Sequence, residues 1–256
     1  MDRRELLKMA AFTAAASALR TARAAKNDGE KKAIALLLYS EFTALDLVGP
    51  HHVFSMLTDF DVKLVAKSMA GVTCDTGLTI QPTATLEDCP QDLALIFVPG
   101  GTRGTLKAMQ DDAILEFLRS RGERADYVTS VCTGSLVLGA AGLLRGFKAT
   151  THWLATDVLR SLGAEFTDGR VVIDRNRMTG GGVTAGIDFG LTVAARLVDE
   201  SYAKSIQLLM EYAPEPPFAS GSPTQAAEET VTHLRSMFRP FAEAAHAAAE
   251  RASARW

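Results

Sequence analysis

The sequence predicts an α/β fold in which a doubly wound, mostly parallel sheet is sandwiched by helices, as in flavodoxin-like proteins. Segments 33–39 and 93–98 are continuous apolar runs, the pattern of strands buried on both faces of a parallel sheet. Segments of helical character separate the predicted strands. Segment 127–141 passes from a short strand of β-forming residues to Cys132 with no polar spacer, and a small-residue apolar helix follows. Ligands of such sheets bind at the carboxyl ends of the strands.

The first half of the chain supplies the central strands. Aliphatic residues predict the two long strands, and the second of them ends at Pro99, Gly100 and Gly101, which favour a turn. In chain order, the predicted elements are a strand over 33–39, a helix over 45–57, a strand over 61–66, a short hairpin around Val72 and Leu78, a strand over 93–98, and helices over 106–109 and 113–121.

The second half continues the alternation. After the strand and helix of segment 127–141, the predicted elements are a helix over 153–159, a short strand over 171–173, a long helix over 184–198, and an amphipathic Ala-rich helix over 224–251. Segment 176–179 is polar and short, and we predict no strand there.

The chain of 256 residues, 47% of them hydrophobic, is long enough to bury a full core. We predict one α/β domain over residues 32–223, followed by a C-terminal helical extension over 224–256. Residues 1–25 resemble a twin-arginine export leader, with Arg3-Arg4, an apolar run over 10–16 and an Ala22-Arg23-Ala24 cleavage pattern. This leader predicts export to the periplasm. The alternative is an Ala-rich extension on a cytoplasmic protein.

Composition excludes several classes of partner. The net charge is -3 and the basic residues are dispersed, so we expect no nucleic-acid partner. The longest apolar candidate, residues 9–19, is about half of the roughly 20 residues that a membrane span needs, so we expect no membrane insertion. Cys74, Cys89 and Cys132 lack metal-ligand spacing and are odd in number. We therefore expect no metal, no disulfide framework and at least one free thiol.

Cys132 is the candidate nucleophile because it lies at the elbow between the strand and helix of segment 127–141. The N–H groups of the following helix would place its sulfur in a partly positive field. Such a field predicts an acidic, reactive thiol. The alternative is an inert buried cysteine.

Two other strand ends carry candidate chemistry and are expected to meet Cys132 at one crevice. Asp46 follows the first strand between apolar neighbours, where a carboxylate needs a partner or a proton. Gly100 and Gly101 allow a close backbone approach and could supply oxyanion-binding N–H groups. The alternatives are a helix N-cap for Asp46 and a plain turn for the glycines.

Two further patterns have structural interpretations. Residues 180–185 loosely fit a dinucleotide-binding glycine motif, but the preceding segment is too polar and short for the usual strand. Residues 179–182 are therefore interpreted as a tight turn before the long helix. His51 and His52 are adjacent and cannot bind one metal from a helix face. His152 is either a base or a helix-start residue that packs under Trp153.

Together these residues resemble the ThiJ/PfpI superfamily, which has the class I glutamine amidotransferase-like fold, and within it the isocyanide (isonitrile) hydratase branch. The matching segments are residues 45–50, 98–102, 129–144, 148–153, 179–189 and 211–214. The resemblance implies that Cys132 is the nucleophile, Asp46 its acid/base partner and Thr133 a hydrogen-bonding neighbour. It also implies a homodimer without a cofactor that converts a small isocyanide to an N-substituted formamide through a covalent thioimidate. For this chemistry we expect a neutral Asp46 beside a Cys132 thiolate.

Other activities of the superfamily fit less well. Related proteases place histidine after the cysteine, where this chain has Thr133, and glyoxalase-like members use glutamate in place of Asp46. Related ligand-sensing domains precede a helix-turn-helix domain, for which too few residues follow Pro223. A non-enzymatic sensor, or another cysteine-dependent hydrolase or glyoxalase, therefore remains the alternative. The His51-His52 pair and the leader depart from the branch.

Overall fold

A computed structural model describes residues 31–255 of the chain. The predicted export leader over residues 1–25 lies outside the described residues. The strands are β1 Lys32–Leu37, β2 Phe60–Ala66, β3 Val72–Thr73, β4 Thr79–Ile80, β5 Ala84–Thr85, β6 Leu93–Val98, β7 Tyr127–Val131, β8 Lys148–Ala149, β9 Glu165–Phe166, β10 Val171–Asp174 and β11 Arg177–Gly180. The helices are α1 Ala44–Phe54, α2 Arg103–Ala108, α3 Asp112–Gly122, α4 Gly134–Ala140, a 3-10 turn Trp153–Ala155, α5 Thr156–Ser161, α6 Ala185–Leu197, α7 Glu200–Leu209 and α8 Glu228–Ser253.

The central sheet has seven strands in the order β10-β11-β7-β6-β1-β2-β5. Its pairs are parallel except for β10 with β11, so the predicted mostly parallel fold is confirmed. In β6 every residue is buried, and in β1 every residue after Lys32 is buried, as expected of strands covered on both faces. The carboxyl ends of β1, β6 and β7 therefore lie side by side at one edge.

Helices cover both faces of the sheet. On one face, Phe54 of α1 and Phe189 of α6 pack edge-to-face, with ring centroids 6.3 Å apart. Phe97 of β6 contacts both rings. On the other face α4 is buried throughout its length. The long helix α8 packs there through the buried alanines Ala245, Ala248 and Ala249.

Four strands, β5, β8, β9 and β11, and the helix α7 have no counterpart among the predicted elements. The longest of these strands was predicted not to form. Segment 177–180 forms β11, which pairs in parallel with β7 and antiparallel with β10. The prediction of no strand there was wrong because Met178, Thr179 and Gly180 are fully buried between neighbours, so position in the sheet outweighs their polarity. The tight turn predicted over residues 179–182 lies two residues later, at 181–184, because Thr179 and Gly180 belong to β11.

Candidate active site

The backbone of Cys132 occupies a strained conformation at the predicted elbow. β7 ends at Val131 and α4 begins at Gly134, and Cys132 between them has a φ of +58°. A positive φ costs a non-glycine residue about 1 to 3 kcal/mol and persists only where neighbours hold it. Here the Cys132 N–H donates to the oxygens of Gly181 and Gly180, at 2.7 and 3.1 Å.

The Cys132 carbonyl is also held. It accepts hydrogen bonds from the hydroxyls of Thr151 and Ser135, at 3.1 and 3.2 Å. At the start of α4, a Cβ on Gly134 would lie only 2.2 Å from the Val98 oxygen, so only glycine fits between the elbow and β6. Both peptide groups of Cys132 are thus fixed, and the side chain is presented at the strand edge.

Asp46 lies in the first turn of α1 with its side chain fully buried. Thr43 occupies the N-cap position, so Asp46 is not the cap of this helix. Its Oδ2 accepts the Gly100 N–H at 2.9 Å, and its Oδ1 has no hydrogen-bond partner among the described residues. Burying a carboxyl oxygen without a hydrogen-bond partner destabilises the fold, so a purely structural role would not explain it. The same free oxygen is available to exchange a proton in a catalytic role.

The three strand ends converge as predicted. A Cβ added to Gly100 would lie 2.6 Å from the Thr133 nitrogen, 2.7 Å from Asp46 Oδ2 and 2.8 Å from Cys132 Cβ. These three atoms therefore surround a single point beside the Gly100 backbone. Only a glycine permits this approach, which brings the candidate acid/base group and the candidate nucleophile together.

Thr133 fastens the Gly100-Gly101 turn to the elbow. Its hydroxyl donates to the Gly101 oxygen at 2.6 Å and accepts the Gly101 N–H at 3.0 Å. Thr105 contacts the same hydroxyl at 2.9 Å. The Tyr39 hydroxyl donates to the Pro99 oxygen at 2.6 Å, so the turn is also bonded to the segment that follows β1.

These bonds change the expected role of the two glycines. The N–H groups of Gly100 and Gly101 were expected to bind a substrate anion, but they donate to Asp46 and Thr133. In this arrangement the glycines orient the side chains of the site. The N–H that faces the sulfur is that of Thr133.

Burial dominates the electrostatics of the Cys132–Asp46 pair. It raises the pKa of Asp46 to about 7, against the lowering effects of the Cys132 thiol and the Gly100 N–H. Burial and then the Asp46 carboxylate raise the pKa of Cys132 well above its usual range, although the Thr133 N–H and hydroxyl favour the thiolate. The prediction of an acidic thiol beside a neutral Asp46 is therefore reversed in the resting site. Around neutral pH the proton lies on sulfur, and Asp46 is partly ionised.

The raised pKa of Asp46 has a consequence for stability. Because the folded-state pKa lies above the unfolded value of about 4, its contribution to the free energy of unfolding is full below pH 4 and is lost as the pH rises through about 7. Asp46→Asn removes this titration. We expect the stability of the variant relative to wild type to improve by about 2 kcal/mol between pH 5 and pH 8.

Urea unfolding at the two pH values measures this difference. Because each protein is compared with itself, any fixed effect of the amide on packing cancels. A stability difference between Asp46→Asn and wild type that is the same at pH 5 and pH 8 would contradict a buried carboxyl with a raised pKa.

His51, His52 and His152, the histidines considered in the sequence, lie at the ends of helices. His51 and His52 are in the last turn of α1, and burial lowers the pKa of His51. His152 precedes the 3-10 turn, where its Nδ1 accepts the Leu154 N–H at 3.4 Å and its ring packs near Trp153. Burial lowers the pKa of His152, which favours the neutral ring. Its contacts match the helix-start alternative.

Residues 31–255 contain no group of three or more His, Cys, Asp or Glu side chains that could hold a metal ion. Cys74 and Cys89 are buried free thiols. No helix within the described range is both long and apolar enough to cross a membrane.

Sequence reasoning missed the residues that hold the elbow in place. The carbonyls of Gly180 and Gly181 fix the Cys132 N–H, and Thr151 fixes its carbonyl. Their backbone roles leave little trace in residue type. The one signal was the run of three glycines from Gly180, which indicates close backbone approach.

Comparison with known proteins agrees with this geometry. The DJ-1/PfpI family matches residues 32–196. The chain is 50% identical over 222 residues to the isonitrile hydratase of Pseudomonas putida, covering 87% of this chain and 96% of the relative. It is 25% identical over 144 residues to the deglycase PfpI of Pyrococcus furiosus, covering 56% of this chain and 86% of the relative.

A solved structure shows the same architecture. The crystal structure of a ThiJ/PfpI family protein from Pseudomonas syringae superposes with a TM-score of 0.84 at 51% identity, covering 86% of this chain and 91% of that one. The family match spans all three strand ends of the site, from β1 through β7 to α6. The chain belongs to the DJ-1/PfpI family.

Proposed function

We propose that this protein hydrates an isonitrile to an N-substituted formamide, with Cys132 as the nucleophile and Asp46 as the acid/base group. The observation that carries the activity is the 50% identity to an isonitrile hydratase over 96% of that enzyme's length. The elbow geometry of Cys132 and the buried, partly unpartnered Asp46 support the assignment of roles.

In the first half of the reaction, the terminal carbon of the isonitrile accepts the sulfur. The Asp46 carboxylate takes the thiol proton as the Cys132 Sγ–carbon bond forms, and it then delivers that proton to the same carbon. The product is a thioimidate in which the carbon carries hydrogen, sulfur and a double bond to nitrogen. The pKa of about 7 suits Asp46 to both transfers, because a proton carrier works best near the operating pH.

In the second half, Asp46 is again a carboxylate and removes a proton from water as the oxygen adds to the thioimidate carbon. That proton passes to the nitrogen. The tetrahedral species collapses by breaking the carbon–sulfur bond, and the hydroxyl proton returns to sulfur. One water has been added to the isonitrile, and Cys132 is regenerated as a thiol.

The Thr133 N–H stabilises negative charge on sulfur during attack and departure. It lowers the pKa of Cys132 against the effect of burial, so it favours the thiolate that forms transiently. The Thr133 hydroxyl donates a hydrogen bond to the Gly101 oxygen. Thr133 therefore stabilises the Gly100-Gly101 turn with its side chain and donates to the site with its N–H.

A panel of alkyl and aryl isonitriles tests the activity. The purified protein is mixed with each compound, and formamide is followed by NMR. Catalytic formamide production supports the proposal. Stoichiometric binding of the compounds without turnover would favour the sensor alternative, and no interaction with any of them would reject both.

A symmetric homodimer is proposed as the assembly. Large apolar side chains remain exposed on α1, at Leu45 and Val48, and on α7, at Leu208 and Leu209, with exposed fractions of 43, 44, 82 and 62%. Exposed apolar surface of this kind supports association, and a closed two-fold is the commonest solution. Light scattering at micromolar concentration is expected to give twice the monomer mass, and a monomeric mass would contradict the proposal.

Export by the twin-arginine route is proposed on the Arg3-Arg4 motif and the apolar run that follows it. This route carries folded proteins, which suits an enzyme that needs a free thiol. Replacing Arg3 and Arg4 with lysine is expected to move the protein from the periplasmic to the cytoplasmic fraction. Wild type and variant in the same cytoplasmic pool would show that the leader was misinterpreted.

A further inference from the structure

A network of polar side chains lies at the start of α6 and does not include Cys132 or Asp46. Asp188, in the first turn of α6, accepts hydrogen bonds on one oxygen from Arg170 at 2.5 Å and from the Tyr212 hydroxyl at 3.1 Å. Arg170 also donates to the Thr184 hydroxyl at 3.2 Å, at the N-cap of α6. Two separate segments, those that carry Arg170 and Tyr212, are thus tied to the beginning of one helix.

The network is joined to the nucleophile through the backbone. The carbonyl of Arg170 accepts the Gly181 N–H at 2.9 Å, and the carbonyl of Gly181 accepts the Cys132 N–H at 2.7 Å. The main chain of Arg170 therefore hydrogen-bonds to the turn before α6, and its side chain hydrogen-bonds to the start of α6. The Gly181 carbonyl is one of two that hold the positive φ of Cys132.

The same helix start contacts the segment that carries Asp46. A Cβ on Gly186 would lie 3.1 Å from Pro50 Cδ and 3.8 Å from the Asp46 carbonyl oxygen. On α1, a Cβ on Gly49 would lie 3.4 Å from Ile187 Cγ1. Because this packing has little slack, a shift of the first turn of α6 displaces α1 and the elbow relative to one another.

Tyr212 is itself held in place. It follows Glu211, which has a φ of +51° at the end of α7. The Tyr212 N–H donates to the main-chain carbonyl oxygen of Gln207 at 3.1 Å. The side-chain amide of Gln207 donates to the main-chain carbonyl oxygen of Tyr212, also at 3.1 Å. The phenol is therefore aimed at Asp188 by its own backbone.

We propose that Arg170, Asp188 and Tyr212 are positioning residues that set the distance and orientation of Asp46 relative to the Cys132 sulfur. The assignment rests on the proposed function of that pair. None of the three acts on substrate directly; they act through the Gly181 carbonyl and the first turn of α6. Removing one of these side chains increases the separation between the elbow and α1. Proton transfer between the Cys132 sulfur and the Asp46 carboxylate then becomes slower.

The test uses four variants of the full chain: Tyr212→Phe, Asp188→Asn, Arg170→Met and Arg170→Lys. We expect kcat to fall about tenfold or more in the first three, with KM changed less than about threefold, because misplacement of catalytic groups affects chemistry more than binding. Arg170→Lys keeps the charge and one donor to Asp188, and is expected to recover part of the rate that Arg170→Met loses.

A second readout does not depend on turnover. The rate of iodoacetamide modification of the Cys132 peptide is followed by mass spectrometry from pH 7 to pH 11.5, because the pKa of Cys132 is raised well above its usual range. The Asp46 carboxylate raises the pKa of Cys132. A carboxylate that has moved away from the sulfur is therefore expected to lower the pH at the midpoint of this profile. The shift should appear in Tyr212→Phe, the mildest change.

Asp92→Asn is the matched control, since it breaks an exposed Arg–Asp pair with Arg124 at 2.7 Å and alters neither readout in our account. Unchanged kcat and an unchanged alkylation midpoint in both Asp188→Asn and Tyr212→Phe would overturn the proposal. So would a lower melting temperature with both readouts unchanged, which is the signature of a merely structural network. If wild type makes no formamide, the proposed function fails, and the alkylation midpoint alone decides the positioning role.

Discussion

Cys132→Ala is expected to lose at least about a thousandfold in formamide production, because no other group in the site can form the covalent intermediate. The variant keeps the fold, since alanine fills the small buried position and its backbone retains the bonds to Gly180 and Gly181. Steady-state turnover of an isonitrile measures the loss. Circular dichroism of the same preparation shows that the fold is intact.

Cys74→Ala and Cys89→Ala are the controls for this result. Both thiols are buried, and their hydrogen-bonding neighbours are Thr76 for Cys74 and Arg121 for Cys89. We expect both variants to retain near-wild-type turnover. Retained turnover in Cys132→Ala, or a comparable loss in either control, would end the assignment of Cys132 as the nucleophile.

Asp46→Asn is expected to lower turnover at least about a hundredfold while leaving Cys132 open to alkylation. The amide can keep the hydrogen bond from Gly100 through its oxygen, so the turn stays in place. It cannot take the proton from the thiol or return it to carbon. Turnover and iodoacetamide labelling of the Cys132 peptide, measured on one preparation, separate loss of proton transfer from loss of the thiol.

Unfolding is the alternative explanation for a loss of turnover in this variant. The urea unfolding curve of Asp46→Asn at pH 8 shows whether the variant is folded under the assay conditions, so a folded variant that makes no formamide has lost the chemical step. Near-normal formamide production by Asp46→Asn would show that the proton comes from another donor. His152 and bulk water would then be the next candidates.

Much of the scaffold could be predicted from the sequence because its signals are local. The apolar runs of β1 and β6 indicate strands buried on both faces, and the direct passage from Val131 to Gly134 indicates the elbow. Parallel strands bring their carboxyl ends to one edge. Asp46, Gly100 and Cys132 could therefore be placed together without coordinates.

The missed features depend on contacts distant in the sequence. β11 was missed because its pairing with β7 and β10 determines its conformation more than its polar composition does. The backbone bonds from Gly180 and Gly181 to Cys132 carry no residue signature. Nor does the Arg170–Asp188 pair, whose members lie on a loop and a helix that the fold brings together.

The protonation of the pair was reversed for a related reason. The sequence shows the helix that follows Cys132, whose field favours a thiolate, but it does not show how deeply the sulfur is buried. In the structure Cys132 is 5% exposed, and desolvation with the nearby Asp46 outweighs the helix N–H groups. The proposed mechanism therefore begins from a thiol and a carboxylate.

Rapid-mixing mass spectrometry of the wild-type enzyme tests the central claim most directly. Quenching in acid within milliseconds of adding an isonitrile is expected to show a protein whose mass has increased by that of one isonitrile. The added mass should lie on the peptide that contains Cys132 and should decay as formamide is released. Formamide production at the full rate without this adduct, or an adduct confined to Cys74 or Cys89, would contradict covalent catalysis by Cys132.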